Sequence, residues 1–77
     1  MPGPMNPREI FDLIVKADES LKYATDEKAA PRRRRARAFL VQARDEARAI
    51  GNDVLVERAE RRLADLDALG GGGGEAG

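Results

Sequence analysis

At 77 residues the chain has room for one domain. A chain this short buries only about 60% of the surface its unfolded form exposes, so a partner or self-association can add materially to its stability. Neither Cys nor His occurs, which removes disulfides, thiolate metal sites and the commonest general base and metal ligand; we therefore expect no enzyme, no cofactor and no metal site. A formal charge of zero conceals segregation: residues 1–30 carry net −2, residues 31–50 net +5 and residues 51–77 net −3.

One Tyr, two Phe and no Trp leave the core to Leu, Ile, Val and many Ala, a composition that suits closely approaching helices. No segment alternates with period two as a half-buried strand does. The longest wholly apolar run, Ala38 to Val41, is far too short for a membrane span or a secretory signal, and the expectation is a soluble, cytoplasmic protein.

Residues 1–5 read as a flexible leader. "MNPREI", residues 5–10, then forms a complete helix start, with Asn6 as N-cap, Pro7 at the first helical position, Glu9 closing a capping box, and Met5 with Ile10 as a hydrophobic staple. Helix 1 is expected over about residues 7–25, its stripe Ile10, Ile14, Ala17, Leu21 and Ala24 stepping 4-3-4-3 and widened by Leu13. It should fade near Thr25, because Pro31 disfavours helix at Ala30.

Pro31 reads as the first-turn proline of helix 2, over about residues 31–50, with stripe Ala36, Leu40, Ala43, Ala47 and Ile50 broadened by Phe39. Gly51 suits the left-handed position after a helix, and Asn52 or Asp53 can cap the next one directly, so helices 2 and 3 should form a tight hairpin. Helix 3, over about residues 53–69, carries Val56, Ala59, Leu63 and Leu66 with Leu55 and Leu69 flanking, and Gly70 should stop it. The glycines of residues 70–77 imply a disordered tail. The whole predicts an all-α, antiparallel three-helix bundle over residues 6–69.

Helix 2 opens with Arg32, Arg33, Arg34 and Arg35, followed by Arg37. At 100° per residue Arg33, Arg37, Arg44 and Arg48 share one flank of the helix, whereas Arg32 and Arg35 point elsewhere. Cations in a first helical turn oppose the macrodipole at about 0.3 to 1 kcal/mol each. Compensating charge should come from Asp26 and Glu27, from Glu57, Glu60 and Asp65 on helix 3, or from an external phosphate. Against nucleic acid, the pI is near 6.3 and no aromatic residues interleave with the arginines.

Phe11 and Val15, spaced i, i+4, fall at the edge of the helix 1 stripe and suggest a second contact surface, unless Phe11 simply widens the core. Val41 and Val54 also lie off their stripes. The acidic pairs Asp18–Glu19, Asp26–Glu27 and Asp45–Glu46 lack the oxygen-rich loop pattern of a calcium site and read as helix-surface charge.

The segment from Ala36 to Leu69 resembles the second helix of a tetratricopeptide repeat running through a short turn into the first helix of the next, with Ala36, Leu40 and Ala43 matching the small, large, small pattern. Helix 1 lacks the Trp, Leu-Gly and Tyr signature of the repeat. Arrays of this size are also similar to microtubule-interacting-and-transport domains. Both resemblances imply binding of a peptide or protein.

The leading expectation is thus a non-catalytic interaction module that engages a protein or peptide partner through Phe11, Val15, Arg37, Arg44 and Arg48. The alternatives are binding of nucleic acid or another polyanion through Arg32, Arg33, Arg34, Arg35 and Arg37, and structural self-association as a homodimer. No membrane partner is expected.

Overall fold

The structure, a computed structural model, describes residues 3–22 and 29–74. These residues form three helices: α1 (Pro7–Lys22), α2 (Ala29–Ala49) and α3 (Asp53–Gly74). The arrangement is an all-α three-helix bundle with α2 in the middle, packed against α1 on one side and α3 on the other. Ion pairs from Arg48 to Glu60 and from Arg37 to Asp67 run in opposite senses along the two chains, so α2 and α3 are antiparallel.

The start of α1 follows the expected chemistry. The Glu9 main-chain N–H donates to Asn6 Oδ1 at 2.9 Å, and the Asn6 N–H donates to Glu9 Oε1 at 3.1 Å, a reciprocal capping box that satisfies two otherwise unpaired donors. Met5, assigned to the leader by sequence, is half-buried against the core as the staple requires. The expected fade near Thr25 lies outside the described residues.

Helix α2 begins two residues earlier than Pro31, at Ala29. Proline is tolerated there because first-turn N–H groups have no intrahelical acceptor, and the residue four back, whose carbonyl its ring would strike, precedes the helix. At the other end Gly51 adopts φ +71°, the Gly51 N–H donates to the Arg48 carbonyl at 3.1 Å, and the Asn52 N–H donates to the Ala47 carbonyl at 2.8 Å. This is a Schellman closure. Of the two candidate caps, Asn52 serves: its Oδ1 accepts from the Leu55 N–H at 3.1 Å.

Helix α3 runs through Gly70 to Gly74, past the stop expected from sequence. Glycine weakens a helix interior by about 1 kcal/mol relative to alanine but neither lacks the N–H nor clashes, so it permits continuation where proline would not.

The core comprises Ile10, Leu13, Ile14 and Ala17 from α1, Ala36, Leu40, Ala43 and Ala47 from α2, and Leu55, Ala59, Leu63 and Leu66 from α3. Leu21, Phe39, Val41, Ile50 and Val56 are only partly buried at its rim, and Leu55 takes the inner position in place of Val56. Buried Ser20 directs its hydroxyl to the Arg32 carbonyl at 3.5 Å across the α1–α2 junction.

Two substitutions test this account. Gly51→Ala meets no steric obstacle, since a Cβ there has nothing within 4 Å, so any loss is backbone strain alone, about 1–2 kcal/mol by urea denaturation. Leu40→Ala, at the fully buried centre of α2, should cost about 2–5 kcal/mol and leave little folded protein at 37 °C.

Candidate functional site

The residues singled out by sequence fall into two groups that α3 separates. On α3, Arg58 and Arg62 occupy one flank of the buried stripe, and Glu60 and Asp67 the other, as their 100° increments from Leu63 dictate. The first flank faces α1. The second faces α2.

On the α1 side, Phe11 remains 43% exposed and therefore does not close the core, and the Arg58 guanidinium carbon stands 5.8 Å from its ring centroid. That is a cation–π arrangement. Val15, one turn on, is half-buried. Two turns on from Phe11, Arg62 Nη1 reaches both carboxylate oxygens of Asp18 at 2.7 and 2.6 Å, which ties α1 to α3. Val54, one turn before Arg58, is 67% exposed and with Glu57, Arg58, Arg61 and Arg62 lines a shallow cavity of about 300 Å³.

On the α2 side the basic ridge is paired within the chain. Arg37 bonds Asp67, Arg48 bonds Glu60 at 3.1 Å, and Arg44 bonds its neighbour Asp45 at 3.2 Å. Glu60 is thus one of the expected compensating acids, but Asp67 takes the role assigned to Asp65, because Asp67 shares the flank of Glu60 whereas Asp65 is rotated about 160° from Asp67. Glu57 reaches Arg61 on its own helix, at 3.9 Å. Each of these pairs is exposed and worth about 0–1 kcal/mol, so none locks its arginine away from a competing anion.

The arginines at the start of α2 differ. Arg34 and Arg35 are exposed and Arg32 and Arg33 half-buried, and among the described residues none of the four makes a side-chain ion pair. Asp26 and Glu27, the upstream acids expected to neutralise them, lie outside the described residues. Arg32 and Arg35 line, with Lys16, Glu19, Ser20 and Phe39, a cavity of about 340 Å³ between α1 and α2.

The structure therefore keeps Phe11 and Val15 together and sets Arg37, Arg44 and Arg48 apart from them. Sequence reasoning missed Arg58 and Arg62 as their neighbours. The signal was available as two cations four residues apart on one flank of the stripe, yet deciding which helix that flank faces needs the tertiary arrangement.

Among the described residues no group of three or more acidic side chains could hold a metal ion, and no helix is long and apolar enough to cross a membrane. The fold and this edge define a class, the small all-α three-helix bundle with an open α1–α3 edge. Comparison with family models, with curated proteins and with solved structures finds no match to the chain.

Because Phe11 is not enclosed, Phe11→Ala should destabilise by well under the about 3–5 kcal/mol of a buried Phe→Ala change, as read from thermal unfolding. A loss in that full range places Phe11 in the core instead.

Proposed function

We propose that this chain is a non-catalytic, helical protein–protein interaction module that binds a peptide or helix of a partner along the α1–α3 edge. The observation that carries this reading is Phe11, which stays 43% exposed beneath Arg58 although the core lies one turn away. A large apolar ring left at a surface is the usual anchor of a helix-in-groove contact, and the exposed Val54 lines a cavity with Arg58, the residue over that ring. Arg58 and Arg61 add positive charge to the same edge, which suits an acidic amphipathic helix. Arg37, Arg44 and Arg48 belong to this reading as a separate ridge across α3, where a second turn of the partner or a flanking acidic segment could exchange with Asp67, Asp45 and Glu60.

A second reading, polyanion binding through Arg32, Arg33, Arg34, Arg35 and Arg37, is favoured by one feature: the first four make no side-chain ion pair among the described residues. Their spread around the helix works against a single phosphate-tracking face.

Titration of the labelled protein with a designed helix bearing Leu on one face and Glu on the other separates the two. Binding at the edge should shift amides around Phe11 and Arg58 and weaken at least about tenfold in Phe11→Ala with helicity unchanged. Shifts confined to residues 32–37, produced by a short oligonucleotide and lost by an order of magnitude or more between roughly 50 and 200 mM salt, would move the function to the arginine run.

A further inference from the structure

The outward face of α2, opposite its buried alanines, carries a surface distinct from the α1–α3 edge, sharing only Arg37 and Asp45 with the flanking contacts proposed for the partner. Exposed Ala38 and Gln42, with Val41, which is half-buried against the core, form the middle of an open cavity of about 650 Å³, with Arg34 at one end and Asp45 and Glu46 at the other. Arg37 lines the same cavity on the cationic side. Charge is thus ordered along the helix: both cations precede Val41, and both acids follow it.

That order selects the occupant. A face with an apolar middle, positive at one end and negative at the other, is complementary to itself after a two-fold rotation about its centre, which is the requirement of an isologous interface. We propose that α2 pairs antiparallel with α2 of a second copy of this chain, the two-fold axis passing near Val41. Arg34 and Arg37 of each copy then meet Asp45 and Glu46 of the other, at both ends. Parallel pairing would instead set like charge on like charge, and antiparallel pairing also aligns the helix macrodipoles favourably.

The groups needed are free or easily released. Arg34 and Glu46 make no ion pair among the described residues, and the exposed pairs Arg37–Asp67 and Arg44–Asp45 cost about 0–1 kcal/mol each to exchange. Ala38 at the contact lets the axes approach to about 8–10 Å. One helix face buries less than a standard interface, so the dimer should be weak, in the micromolar range.

Sedimentation equilibrium of the full chain from about 10 μM to 1 mM should show a monomer–dimer transition. Arg34→Glu and Glu46→Arg should each weaken it at least about tenfold without loss of helicity, and an equimolar mixture of the two variants should restore it, because both ends are again complementary. Single cysteines report the geometry, since the chain has none of its own. Gln42→Cys, beside the axis, should cross-link through a short bis-maleimide, whereas Arg34→Cys lies about 20 Å from its counterpart and should not. A monomer throughout, a dimer indifferent to both charge reversals, no restoration in the mixture, or equal cross-linking at both positions overturns the proposal. Phe11→Ala leaves this association intact, so its outcome stands apart from that of peptide binding at the α1–α3 edge; loss of the dimer in Phe11→Ala also overturns it.

Discussion

The bundle depends on the small side chains of α2. Ala36, Ala43 and Ala47 are fully buried around Leu40, and a helix presenting little more than methyl groups can be approached closely from two sides at once. The bulk is supplied by its neighbours: Ile10, Leu13 and Ile14 from α1, and Leu55, Leu63 and Leu66 from α3. Because both neighbours seek the same narrow stripe, they stand on either flank of α2 and touch each other only along an edge. That edge is spanned by Arg62 on Asp18 and by Arg58 over Phe11, contacts that do not enclose the ring, so an aromatic side chain remains at the surface.

Electrostatics follows the same geometry. The basic middle segment lies between two acidic ones in sequence, and in the fold its ridge is answered by Glu60 and Asp67 on one flank of α3. The pairing is selective: Arg37 and Arg48 find acids on α3 and Arg44 finds Asp45 on its own helix, whereas Arg32 to Arg35 make no ion pair among the described residues, Arg33 included although it shares the flank of Arg37. The long arginine run is therefore several different environments, set by rotation about one axis.

Three surfaces result, each with its own chemistry. The α1–α3 edge is apolar with added cations and suits a foreign helix. The stretch from Arg32 to Arg35 is cationic and makes no side-chain ion pair among the described residues. The outer face of α2 is self-complementary. The α1–α3 edge and the outer face of α2 lie on different sides of the bundle, because the central position of α2 leaves one side of it uncovered while its other two flanks hold α1 and α3; the arginine run shares Arg34 with the outer face.

Much of this was legible in the residues themselves. The capping box at Asn6 and Glu9, the left-handed Gly51 and the 4-3 stripes of all three helices are local matters, decided by hydrogen-bonding groups and periodicity a few residues apart, and the sequence by itself determined them. It determined the all-α class for the same reason. Helix α3 continues past Gly70 because glycine is a weak stop signal in the absence of a proline, and Leu55 rather than Val56 lies innermost because stripe geometry leaves adjacent apolar residues unresolved. Only the tertiary structure decided that Asp67 rather than Asp65 meets Arg37, and that Phe11 lies under Arg58. Each of these depends on how one helix is rotated against another, and the methyl-sized side chains of α2 leave that rotation to be settled by packing rather than by any pattern within a single helix.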